Sequence, residues 1–112
     1  MTEFTHLPKL AKPLETLKNE LLASGILAKR LGTPEFELHL FAVSNDQDSY
    51  DCRLSIKSAK AKLSEDDAEK CADEIEARLE ELLVDQYGEE EGEDLGLAMI
   101  MVNVVLNGEE VY

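Results

Sequence analysis

The sequence predicts an α+β fold, a single domain spanning residues 1–112 in the order αββαββ, with a four-stranded antiparallel sheet and two helices packed on it. Three observations carry this prediction. Leucines recur every three or four residues from Leu7 to Leu21, a strict period of two runs from Glu35 to Lys57, and a long second helical stripe precedes an apolar run rich in Val, Ile and Met. At 112 residues and 44% hydrophobic content the chain has enough material for one core, and a second would be too small to stand alone.

Leu7, Leu10, Leu14, Leu17 and Leu21 form one stripe of the first helix, with Lys9, Lys12, Glu15 and Lys18 outside it. Pro13 suits a first helical turn, where a missing N–H is harmless, so residues 8–12 read as a lead-in. Ser24-Gly25 is a stop signal, and residues 26–34 receive no assignment from the pattern. In the first strand Phe36, Leu38, Leu40 and Ala42 face inward; in the second, Tyr50, Cys52, Leu54 and Ile56 do so, with Asp51, Arg53, Ser55 and Lys57 outward. Residues 44–49, Ser-Asn-Asp-Gln-Asp-Ser, supply the turn of a hairpin.

Ser64 followed by Glu65, Asp66 and Asp67 marks a capped helix start, with acids where they complement the helix dipole. Ala68, Cys71, Ala72, Ile75, Leu79, Leu82 and Leu83 then share one arc, and Gly88 ends the helix. Residues 88–94 hold five carboxylates in six residues from Glu89 to Asp94 and read as a flexible acidic loop. Leu95 to Leu106 is expected to be a central strand, Asn107-Gly108 a type I′ turn, and residues 109–112 a short returning edge strand.

The net charge of −14 is unevenly placed: residues 1–63 carry nine Lys/Arg against eight Asp/Glu, whereas residues 64–112 carry two against seventeen. Such a field repels nucleic acid and anionic lipid and attracts a basic protein surface. Cys52 and Cys71 lack a zinc-like or C-x-x-C spacing and no secretory signal opens the chain, so a cytoplasmic location is expected. The longest apolar run, about 12 residues, falls short of a membrane span.

No nucleotide-binding, nucleophile-elbow or zinc-protease motif occurs, and neither enzymatic activity nor a cofactor or metal site is expected. His39 reads as a surface histidine without triad partners, and His6 lies in an N-terminus expected to be loose. The two cysteines read as core packing. Glu89, Glu91, Glu93 and Asp94 are spaced like the start of a calcium loop, but a bidentate acid twelve positions on is missing. Lys57, Lys60 and Lys62 form the one basic cluster, too small for a phosphate-binding surface and expected to pair with acids of the second helix.

On that helix Asp66, Glu69, Asp73, Glu76 and Glu80 share one flank that is wholly acidic, while the other mixes Asp67, Glu74 and Glu81 with Lys70 and Arg78. Asp66 with Lys70 and Glu74 with Arg78 have the spacing of favourable pairs. The acidic row covers about 21 Å at steps of about 4.5 to 6 Å, comparable with the charge repeat of a nucleic-acid strand. Like charges at these spacings each cost about 0.2 to 0.5 kcal/mol. The plainest account of the row is a solvated helix face.

The sharper account is a non-enzymatic binding protein whose row, extended by Glu89, Glu90, Glu91, Glu93 and Asp94, occupies a basic groove of a nucleic-acid-handling enzyme. Viral or mobile-element inhibitors of restriction or CRISPR nucleases work in this way as a class. The alternative is a small acidic dimeric chaperone or assembly protein that binds a client through its sheet. "YDCRLSI", residues 50–56, resembles the alternating strand of secretion-system chaperones of similar size and charge. That resemblance implies a client or dimer surface at Phe41, Val43 and Met99 or Met101. Homodimerisation through the final edge strand is a third, structural reading.

Overall fold

The computed structural model describes residues 3–112. Phe4 is buried, donates its backbone N–H to Ser44 Oγ and lies 5.2 Å from the Tyr50 ring, so the chain is anchored from this residue rather than loose. A 3-10 turn at Leu7–Leu10 leads into α1, Ala11–Ser24, with Pro13 buried inside its first turn. Gly25 takes a left-handed conformation that ends α1 and opens a second short helix, α2, Ile26–Leu31, which gives the unassigned segment its structure.

β1, Glu37–Asp46, and β2, Ser49–Lys57, form the expected hairpin, with Leu38, Leu40 and Ala42 opposite Ile56, Leu54 and Cys52. α3 is the long helix, Glu65–Tyr87, capped by Ser64 Oγ accepting from the Asp67 N–H at 3.1 Å and stopped at Gly88. β3, Met99–Leu106, turns at Asn107 and Gly108, both at positive φ as a type I′ turn requires. It returns as a two-residue strand β4, Glu109–Glu110.

The sheet order is β1-β2-β3-β4, and β2 and β3 run parallel, so the sheet is mixed rather than wholly antiparallel. The reason lies in the connection. A hairpin needs only a turn, but here a sheet-spanning helix carries the chain back to the end where β2 began, and a strand that follows such a crossover runs parallel. Met99 accordingly pairs with Tyr50 at the start of β2, and Leu106 with Ile56 near its end.

The acidic segment after Gly88 is a fourth helix, α4, Glu89–Leu97, rather than the flexible loop and beginning of a strand that its composition predicts. Three glutamates in its first turn favour a helix start electrostatically. Gly92 and Gly96, four residues apart, then present a face without side chains to α3. A Cβ on Gly92 would lie 2.5 Å from Val84 Cα, so only glycine lets the two backbones approach this closely. Leu95 is buried, and its carbonyl accepts from the Tyr50 hydroxyl at 2.7 Å, tying α4 to the sheet.

α1 and α3 cover one face of the sheet and meet each other there, and the inward residues of all the long elements join one core around Tyr50, Leu54, Ile75, Leu79 and Val104. Among the described residues the opposite sheet face carries no helix. It displays Phe41, Arg53 and Met101.

Candidate functional site

The two flanks of α3 differ in how their charges are satisfied. Arg30 of α2 donates two hydrogen bonds to Glu74, at 2.9 and 2.7 Å, and Arg78 reaches Glu20 of α1 at 2.8 and 2.9 Å and Glu81 at 3.1 Å. These bonds hold the Glu74 and Glu20 carboxyls below their ordinary range, and they raise both guanidinium groups. Lys70 lies 4.0 Å from Asp67. The flank facing α1 and α2 is therefore an ion-paired brace between the helices, its four carboxylates offset by three cations. The expected pairs Asp66–Lys70 and Glu74–Arg78 do not form, because the cations find partners elsewhere.

Asp66, Glu69, Asp73, Glu76 and Glu80, on the other flank, are all exposed, and none takes part in an ion pair among the described residues. Their field is felt by Tyr112. Its phenol is pushed above the ordinary tyrosine range, first by Glu69 and then by desolvation, with Asp73, Glu76 and Glu65 adding to the effect. The row thus borders the outer edge of the sheet, where Asp73 and Glu76 share a concavity of about 570 Å³ with Ile100, Met101, Val102 and Tyr112.

At its C-terminal end the row meets α4. Gly96 lies where an added Cβ would stand 3.2 Å from Glu80 Cγ, and Glu80 and Glu93 line one groove with Glu81, Asp85, Val84 and Leu97. Leu97 is 81% exposed there. The acidic block is divided by this arrangement: Glu93 extends the row, whereas Glu89, Glu90, Glu91 and Asp94 surround a separate hollow beside Tyr87. Glu91 is ion-paired with Lys9, whose ammonium lies 6.0 Å from the Tyr87 ring centroid. The Tyr87 hydroxyl in turn donates to the Lys9 carbonyl at 2.8 Å.

The remaining candidates have structural surroundings. Cys52 is buried and its thiol pushed up to about 12 by desolvation. Burial also raises the Cys71 thiol, outweighing an Arg30 guanidinium that donates to its sulfur at 3.2 Å. Both therefore stay protonated at neutral pH. His39 is exposed on the helix-free face, opposite Ser55. Lys60 pairs with Glu35 at 3.0 Å rather than with α3, and Lys57 and Lys62 form no ion pair among the described residues. No cluster of three or more His, Cys, Asp or Glu side chains has a metal-binding arrangement among the described residues.

Tyr112, Ile100 and Leu97 join the site in addition to the residues that the sequence pattern picks out. Tyr112 and Ile100 carry no local signal, since only the β3–β4 turn and the crossover bring them to α3. Leu97 had a signal in the G-x-x-x-G spacing of Gly92 and Gly96, which marks a closely packed helix with Leu97 at its end. No protein-family model matches the chain, and neither a curated protein nor a solved structure does. No helix of the described residues is long and apolar enough to cross a membrane.

Proposed function

We propose that this chain is a non-enzymatic binding protein that sets the carboxylate row of α3 into a basic groove of a nucleic-acid-handling protein, as an inhibitor of the viral or mobile-element type. The observation that supports the reading is the asymmetry of α3: nearby cations are spent on one flank, and the five exposed carboxylates on the other have no ion-pair partner among the described residues. A row of like charges along about 21 Å of helix opposes the free fold. Lysines and arginines of a groove built for phosphates would relieve that repulsion on binding.

Asp66, Glu69, Asp73, Glu76 and Glu80 stand in this reading for one strand's phosphates, and Glu93 prolongs them. Long-range attraction accelerates encounter and weakens as salt screens it. Capture of partners from a host lysate at low salt, followed by a salt gradient, tests the reading. It expects one nucleic-acid enzyme to elute at moderate salt and to be displaced by added duplex DNA. Recovery only of partners indifferent to salt and DNA would overturn it.

A second reading is favoured by the helix-free sheet face, where Phe41 and Met101 are 41% and 49% exposed. A chaperone or assembly protein would bind its client there through adaptable apolar contacts. Phe41→Ser would then abolish association, and loss of charge on α3 would leave it unchanged.

A further inference from the structure

We infer that the outer edge of β1 pairs antiparallel with β1 of a second copy of this chain, joining two four-stranded sheets into one about a two-fold axis at Leu40. The inference is independent of the proposed acidic surface and concerns the opposite edge of the sheet. The direction of the β1 main chain follows from the bonds of its neighbour. Tyr50 donates to the Ala98 carbonyl at 3.0 Å, and the Ile56 carbonyl accepts from the Asn107 N–H at 2.8 Å, so the even-numbered residues of β2 turn their N–H and C=O groups toward β3. Asp51, Arg53, Ser55 and Lys57 therefore bond to β1, through their opposite residues Val43, Phe41, His39 and Glu37. Leu38, Leu40 and Ala42, which alternate with these, direct their N–H and C=O groups outward. No strand lies on that side, and no loop main chain bonds to them among the described residues.

This template lies in the interior of the chain, and its register with β2 is unbroken from Glu37 to Ser44. The N-terminal segment touches the strand at one end, where the Phe4 N–H donates to Ser44 Oγ, and makes no main-chain bond to it among the described residues. Soluble folds commonly blunt an open edge with lysine, proline, a bulge or a charge aimed inward. Leu38–Val43 has none of these. A groove of about 420 Å³ separates Leu40 and Ala42 from the flank of α1 at Leu14, Glu15 and Lys18, which leaves room for the side chains of an added strand.

Charge and symmetry choose the occupant. Residues 1–63, which include α1 and β1, carry nine Lys/Arg against eight Asp/Glu, whereas the acidic row borders the far edge of the sheet. Pairing at β1 sets the two β3 strands five strand spacings apart, about 24 Å. That is more than twice the Debye length of about 10 Å at 0.1 M salt, so repulsion between the two rows is largely screened. A basic segment, by contrast, finds no row of carboxylates at this edge. The contact is also self-complementary, as a two-fold interface requires. With Leu40 on the axis, Leu38 exchanges hydrogen bonds with Ala42 of the second copy, and exposed His39 stands opposite exposed Phe41 of the second copy on the helix-free face. The rim of the groove holds Glu15 and Lys18, one charge of each sign.

The test is sedimentation equilibrium of the whole chain up to millimolar concentration, with residue-resolved amide exchange on the same samples. The expected result is a reversible rise to twice the monomer mass, accompanied by slowed exchange of Leu38, Leu40 and Ala42. Added salt should not weaken the association, because a net charge of −14 on each copy opposes it. His39→Lys/Phe41→Lys changes two exposed positions and sets lysine against lysine on both sides of the axis, which should weaken the dimer at least about tenfold. His39→Lys/Phe41→Glu sets lysine against glutamate in the same register and should restore association toward that of the parent. Circular dichroism establishes that each variant is folded, and the exchange measurement on the parent needs no variant.

A chain that stays monomeric at every concentration would overturn the proposal. A dimer in which Leu38, Leu40 and Ala42 exchange as fast as in the monomer would place the contact on another surface and overturn it as well. Equal effects of the two variants would overturn the register about Leu40. Protection of the three amides only in complex with the partner captured from lysate would assign the edge to a foreign strand, again overturning the proposal, and the charge variants of α3 judge the acidic-surface reading separately.

Discussion

Arg78 bridges Glu20 of α1 and Glu81 of α3, donating from Nε and Nη2 to both Glu20 oxygens at 2.8 and 2.9 Å and from Nη1 to Glu81 at 3.1 Å. The bridge explains why the carboxylates of one flank of α3 have cationic partners and those of the other do not. An arginine pointing toward α1 cannot screen Glu76 or Glu80 across the helix. Replacing Arg78 with Met should lower Tm by a few degrees and return the Glu20 carboxyl to its ordinary titration range. Carboxyl-resolved NMR titration checks this.

The same braces set the acid limb of stability. Glu20 and Glu74 have carboxyl pKa values depressed by Arg78 and Arg30, respectively. A depressed folded-state pKa means stability that is present above the ordinary carboxylate value and lost as pH falls through the lower folded value. Thermal melts between pH 5 and about pH 2 should show a falling Tm in the parent and a shallower fall in Arg30→Met/Arg78→Met. At neutral pH, Arg30→Met alone should cost about 1 kcal/mol, since Glu74 is half-exposed and solvent screens the pair.

The α3–α4 contact makes opposite predictions for two glycines of one helix. Gly92→Ala forces a methyl against the Val84 backbone, 2.5 Å from its Cα, and should destabilise by about 1 to 3 kcal/mol. Gly96→Ala meets only the Glu80 side chain at 3.2 Å, which can swing aside. The gain in helix propensity, up to about 1 kcal/mol, should leave that variant neutral or slightly stabilised. Denaturant midpoints for the pair decide the matter.

Neutralising the row should stabilise the free protein. Glu69→Gln/Asp73→Asn/Glu76→Gln/Glu80→Gln removes adjacent like charges and should add about 1 kcal/mol at low ionic strength, an effect that shrinks as salt is added. Tyr112 is a built-in reporter of this change. Its raised phenol pKa should fall toward the ordinary tyrosine value in the variant, as read from the Tyr112 ring carbon by NMR titration.

Most of the fold was written locally. The Ser64 cap, the Gly25 and Gly88 stops, the alternation in β1 and β2 and the Asn107-Gly108 turn are short-range signals that tertiary context did not override. The direction of β3 was not legible in the run Leu95–Leu106, because a strand's own residues do not record which end of the sheet the crossover returns to. α4 was hidden by its composition. Five acids and two glycines suit a solvated loop as well as a helix, until Gly92 and Gly96 are seen as the face that α3 contacts. The common flank of Asp66, Glu69, Asp73, Glu76 and Glu80 followed from helical spacing. That Arg30, Glu20 and Arg78 would leave it unopposed depended on contacts between elements far apart in the chain.

The central claim, that the unpaired row is the binding surface, is tested most directly by the salt dependence of partner affinity. The partner recovered from lysate should be titrated with the parent protein and with Glu69→Gln/Asp73→Asn/Glu76→Gln/Glu80→Gln over a series of ionic strengths. The account predicts a steep loss of parent affinity with salt. It also predicts an affinity at least about a hundredfold lower for the variant at low salt, with a shallower slope, since four attractive charges have been removed. Equal affinities and equal slopes for the two proteins, both folded, would contradict it.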